Sequence, residues 1–198
     1  MPFPVVDGKL LWDVVDHLET WKALEEEYHA GRVKAIGLSN FNSKQIQKVY
    51  DNAEVKPHML QVECHAYWPQ TQLQRFCRER NIAFTAYGPI GSPNRQGVVV
   101  KKADENDTPP LLEQDTLVSL ANKYNKTPAQ IALRWLIQRE IVVIPKSTNE
   151  KRIIENANIW DFELSELDHS TLSRIPHQRL FQSDLGKDCP DNPFNEPF

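Results

Sequence analysis

The feature that most constrains this chain is an alternation. Four short apolar runs, at 33–38, 59–63, 82–87 and 141–144, are separated by segments whose apolar residues recur at helical spacing. Each run is too short for a helix and is bounded by Gly, Pro, Asn or Asp, so each reads as a strand. Strands that alternate with helices predict parallel βαβ units and an α/β fold. The last run, Ile141-Val142-Val143-Ile144, is β-branched throughout and predicts a strand buried on both faces.

The helices carry their own start and stop signals. Asp16 followed by Glu19, and Asn42 followed by Gln45, read as capping boxes. Thr127-Pro128-Ala129-Gln130 adds a proline at the first helical position. Apolar stripes predict helices near 16–30, 42–53, 70–80, 113–124 and 127–137. Another helix follows Asn149, and a last one opens at Ser165 and buries Leu167, Leu172 and Ile175. Residues 1–15 read as loop, 88–110 as a long irregular segment and 176–198 as an irregular tail.

Composition limits the function classes. A net charge of −4 and the lack of a basic run argue against nucleic acid as a partner. No apolar stretch approaches the length of a membrane span, and the first residues lack the pattern of a signal peptide. Cys64, Cys77 and Cys189 form neither an even set nor a metal spacing, which favours a reduced, cytoplasmic setting.

Polar residues gather at the ends of the predicted strands. Ser39-Asn40, Gln61, Tyr87 and Lys146-Ser147 all lie within or just past the C-terminal part of a run. In a parallel α/β arrangement that end is one rim, where barrel enzymes build their sites. After the fourth strand, Pro145 ends the ladder and Asn149 can cap a helix with Arg152 in its first turn. A lysine, a serine and an arginine at a helix N-terminus suit a phosphate. A basic surface loop is the alternative account of the same residues. His65, just past the second strand, reads as a structural hydrogen-bonder; His17, His29, His58, His169 and His177 read as solvated.

Five segments together resemble the aldo-keto reductases, most closely the aldose-reductase-like members. They are G-R-V-K-A-I-G-L-S-N-F-N (31–42), Q-V-E-C-H (61–65), T-A-Y-G-P-I-G-S (85–92), T-P-A-Q-I-A-L-R-W (127–135) and I-P-K-S (144–147) with R-I-I-E-N (152–156). The resemblance runs in order from about Lys9 to the C-terminus. It implies a (β/α)₈ barrel that passes hydride between NADP(H) and a small-molecule carbonyl. Ser39, Asn40 and Gln61 would then bind the nicotinamide carboxamide, and Tyr87 would stack on its ring. Gly88, Ile90 and Ser92 would line the pyrophosphate crossing. Lys146, Ser147 and Arg152 would hold the 2′-phosphate, and Glu155 and Asn156 would meet the adenine. Gly88 departs from a frequent serine, and Asn149 from a frequent threonine.

The family's general-acid tyrosine, its tuning lysine and aspartate and its orienting histidine precede the part resembled here. The expected architecture is therefore a partial barrel, strands five to eight with extra helices, the N-terminal half absent. It would form a single oxidoreductase domain over 1–198 with a tail at 177–198. No residue of the chain is assigned a catalytic role, and no metal is expected. The expected function is that of an NADP(H)-dependent reductase by descent, inactive alone. The alternatives are a non-catalytic NADP(H)-binding or strand-pairing module, or an incomplete gene product. Open strand edges predict self-association. The loop at 89–110 and the tail would set specificity. There Phe181, Phe194 and Phe198 are candidates for lining an apolar pocket, with packing or disorder as the alternatives.

Overall fold

A computed structural model describes residues 4–6, 9–13, 15–93, 109–181, 189 and 191–195. Its centre is a four-stranded parallel sheet in the order β3 (Gly37–Ser39), β4 (Met59–Glu63), β5 (Ala83–Tyr87), β6 (Val142–Val143). Spatial order follows chain order, so each crossover returns to the neighbouring position. A small antiparallel hairpin, β1 (Val5–Val6) and β2 (Lys9–Leu10), precedes it where only loop was expected.

The capping signals work as their chemistry dictates. Asp16 accepts from the backbone N–H of Leu18 and opens α1 (His17–His29). Asn42 and Gln45 close a full box on α2 (Ser43–Asn52), as Thr127 and Gln130 do on α5 (Pro128–Ile137). Helix α3 (Thr71–Arg78) follows β4, and α4 (Asp115–Tyr124) precedes α5. Past the sheet come α6 (Glu150–Ala157) and α7 (Glu166–Leu172).

The core is one cluster in which Ile46, Val49, Leu60, Leu117, Ile131, Trp135, Leu136 and Leu172 are fully buried. Two polar contacts fix α1 to the chain after α2. The Trp21 indole donates to the Val55 carbonyl at 3.1 Å, and Glu25 accepts from the Val55 N–H at 2.8 Å. Gly37 is required by close approach: a Cβ there would stand 2.5 Å from the Met59 carbonyl oxygen.

Several expectations need correction. The expected barrel strands five to eight, with the N-terminal half absent, are contradicted. The structure instead holds four parallel strands in one open sheet, β3-β4-β5-β6. Barrel numbering is a property of a closed ring, so an open sheet supplies only the relative order of these four. The fourth run is not buried on both faces. Val142 is 51% and Ile144 45% exposed, because β6 is an edge. Leu167 is 70% exposed, since α7 turns only its Asp168–Leu172 face inward. His58 is half-buried, its Nδ1 lying 3.3 Å from the Ile36 N–H nitrogen.

Asp168 ties α4 to α7. It accepts from Lys123 at 2.7 and 2.9 Å, from Tyr124 at 2.5 Å and from Ser165 at 2.6 Å. These donors, Lys123 foremost, hold its carboxyl at about 2 rather than the ordinary 3.8. A depressed folded-state value means the stabilisation is complete above about pH 4 and lost as pH falls towards 2. Asp168→Ala is expected to cost about 2 kcal/mol at pH 7. Urea denaturation should show the gap to wild type narrowing as pH falls from 4 to 2.

Candidate functional site

Parallel strands deliver all their C-terminal ends to one rim, and the register says which residues meet there. Ser39 pairs with Gln61, which pairs with Thr85; Glu63 pairs with Tyr87 one pleat further on. Asn40 follows β3 in the left-handed region, φ 56°, a conformation asparagine tolerates. Its N–H donates to the Gln61 carbonyl at 3.0 Å. Its Oδ1 is buried and has no hydrogen-bond partner among the described residues. Ser39, Asn40, Gln61 and Tyr87 are thus brought onto adjacent strand ends.

Gly88 continues β5 with φ 61° and closes a turn by accepting from the Gly91 N–H at 2.9 Å. Ile90 lies in this turn and Ser92 just past it; both are half-buried. Most of the 88–110 segment, from 94 to 108, lies outside the described residues.

The basic cluster lies beyond β6. Lys146 and Arg152 are exposed, and Ser147 is half-buried. Ser147 Oγ accepts from the Asn149 N–H at 3.1 Å, and Asn149 Oδ1 accepts from the Arg152 N–H at 3.1 Å. The two bonds shape the loop that starts α6. Glu155 and Asn156 lie further along the helix. The Glu155 carbonyl accepts from buried Gln130 at 3.2 Å, and Asn156 lines an open groove of about 610 Å³ beside β6. That groove is apolar, walled by Val142, Ile153, Ile159 and Trp160.

The sequence reading missed a second feature of the rim. Glu63, at the end of β4, is 3% exposed and takes the Nε2 of fully buried His65 at 2.9 Å. It also accepts backbone N–H groups from the tail: Leu180 at 2.6 Å and Phe181 at 3.2 Å. Arg179 lies 3.8 Å away, and burial pulls its guanidinium below the ordinary value. The available signal was a carboxylate placed among apolar strand residues, which demands partners when buried.

Cys64 and Cys77 offer no nucleophile here. Burial pushes the Cys64 and Cys77 thiols up to about 12. Among the described residues no three His, Cys, Asp or Glu side chains are grouped to hold a metal, and no helix is long and apolar enough to cross a membrane.

Comparison with known proteins decides the family. The model of the Aldo/keto reductase family matches residues 2–176. The chain belongs to this family. It is 43% identical over 202 residues to aldo-keto reductase family 1 member A1 of Gallus gallus, covering 97% of this chain and 60% of that protein. It is 39% identical to the Homo sapiens protein of the same name, covering 100% of this chain and 62% of that one. The solved aldose reductase of Schistosoma japonicum superposes with a TM-score of 0.86 at 35% identity, over 99% of this chain and 60% of that chain. The expectation that only a C-terminal part of the family is resembled is not upheld, because the match begins at residue 2. This aldo-keto reductase spans about 60% of the length of the curated relatives it matches.

Proposed function

We propose that this aldo-keto reductase chain binds NADP(H) along the strand rim and does not by itself turn carbonyls over. The observation that carries the reading is the buried Oδ1 of Asn40 beside Gln61, which has no hydrogen-bond partner among the described residues. A buried acceptor with no partner is costly, and a carboxamide N–H would satisfy it. Ser39, Asn40 and Gln61 would hold the carboxamide, with Tyr87 against the ring. Gly88, Ile90 and Ser92 would flank the pyrophosphate, and Lys146, Ser147 and Arg152 the 2′-phosphate. Glu155 and Asn156 would meet the adenine. When bound, NADPH supplies the hydride that reduces a small aldehyde or ketone.

Reduction also needs a proton donor, which contributes about 10²–10⁴-fold. The chain has five tyrosines. Tyr28 and Tyr50 lie on α1 and α2. The Tyr67 hydroxyl donates to the Pro109 carbonyl at 3.0 Å, and burial raises its value to about 12. The Tyr124 hydroxyl is bound to Asp168. That leaves Tyr87, which the reading assigns to stacking. His65 is fully buried against Glu63 and out of reach of a substrate. The expected result is saturable NADPH binding with no loss of nicotinamide absorbance in the presence of a reactive aldehyde. Robust turnover by the pure chain would contradict it.

We place the chain in the cytoplasm, as one oxidoreductase domain over 1–198 with a tail from 177. Its free buried thiols support a reducing compartment. Self-association is part of the proposal. Among the described residues no strand pairs with the outer edges of β3 and β6, and Val142, Ile153 and Trp160 are exposed on the β6 side. Sedimentation velocity should show concentration-dependent association with a second copy. A monomer at high concentration would remove this part.

A further inference from the structure

The tail crosses the rim at the place where the nucleotide reading needs open space. Its upstream anchor is the Gln178 N–H, which donates to the Tyr67 carbonyl at 2.6 Å. Beyond it, Leu180 and Phe181 turn their backbone N–H groups onto the Glu63 carboxylate, at 2.6 Å for Leu180 and at 3.2 and 3.3 Å for Phe181. The Phe181 ring then meets Tyr87 at 77°, with centroids 5.1 Å apart. It also lies directly on the Gly88 backbone: a Cβ at Gly88 would stand 2.7 Å from the Phe181 ring. A Cβ at Gly91 would be 3.4 Å from Leu180.

Two tail residues thus cover the tyrosine assigned to the nicotinamide and the turn assigned to the pyrophosphate. Carbon surfaces pack at about 3.5–4.0 Å, so a ring seated between Tyr87 and Phe181 would need roughly 7 Å between their centroids. The observed 5.1 Å leaves no such slot. Both tail residues are only half-buried, and Glu63 keeps its His65 partner if the tail departs.

We propose that Leu180 and Phe181 form an autoinhibitory strap, latched by Glu63 over Tyr87 and Gly88, which must lift before NADP(H) can seat its nicotinamide end. The inference rests on the nucleotide reading above. It implies that only the open fraction of molecules binds the whole dinucleotide, which lowers apparent affinity by that fraction. The adenosine end lies at the separate Lys146–Arg152 cluster and is indifferent to the strap.

The test is calorimetric titration of the full chain and of Phe181→Ala with NADPH and with 2′,5′-ADP, which carries the 2′-phosphate but no nicotinamide. The proposal expects Phe181→Ala to bind NADPH about tenfold tighter and 2′,5′-ADP equally. Unchanged or weaker NADPH binding, with 2′,5′-ADP binding retained, overturns the strap and leaves the nucleotide reading intact. Failure of the wild-type chain to bind 2′,5′-ADP overturns both. A second readout needs no variant. Saturating NADPH should speed hydrogen exchange at the Leu180 and Phe181 amides in the wild-type chain, because they leave Glu63. Slower or unchanged exchange overturns the strap.

Discussion

Replacing Lys146 and Arg152 together by alanine is expected to weaken NADPH binding about a hundredfold while leaving NADH binding unchanged. Both side chains are exposed at the end of β6 and the first turn of α6. Their loop is preset by the Ser147 and Asn149 bonds, so their backbones need little reordering to meet an anion. A charge-assisted hydrogen bond to phosphate contributes about 1.5–3 kcal/mol. Exposure and salt pull two such contacts to the low end, about 3 kcal/mol in total, which is roughly two powers of ten in Kd. NADH lacks the 2′-phosphate and gives these cations little to hold. The same titrations at rising salt should weaken NADPH binding more than NADH binding. A double variant that loses both nucleotides equally would place the cations elsewhere in the interaction, or show a folding defect.

The second large effect concerns the core. Trp135→Ala is expected to cost about 3–5 kcal/mol, the range for removing a buried large aromatic. Trp135 is fully buried on α5, and its indole N–H donates to the His169 carbonyl at 3.2 Å. Arg139 lies over its ring at 4.4 Å. Removal leaves a cavity and a guanidinium without its aromatic face; the His169 carbonyl keeps its Ser173 donors. Domain stabilities are typically only about 5–15 kcal/mol. Against that margin this single change should leave much of the chain unfolded at 37 °C. Urea denaturation followed by circular dichroism measures it. A loss under 1 kcal/mol would mean that α5 is not the centre of the core.

Local chemistry was legible in the sequence because its causes are local. The boxes Asn42/Gln45 and Thr127/Gln130 act within one helical turn, and β4 lies at 59–63 as its apolar pattern predicts. The rim was legible for a related reason: parallel strands put Ser39, Gln61 and Tyr87 on one side whatever the tertiary details. What failed depends on neighbours in space. A run such as 141–144 has the composition of a central strand, and only its place at the edge exposes Val142 and Ile144. Four strands in a row do not reveal their numbers in a ring. Glu63 and the tail are more than a hundred residues apart, so no window of sequence could show that one latches the other. The family relationship, by contrast, rests on an ordered set of motifs and was readable from the residues alone.

The central claim is that this chain retains a grip specific for a 2′-phosphorylated nicotinamide dinucleotide. Calorimetric titration of the unmodified chain with NADPH and NADH in parallel tests it most directly. The account predicts saturable one-to-one NADPH binding with a Kd about a hundredfold below that for NADH. Equal affinities, or heat from neither nucleotide, would contradict it.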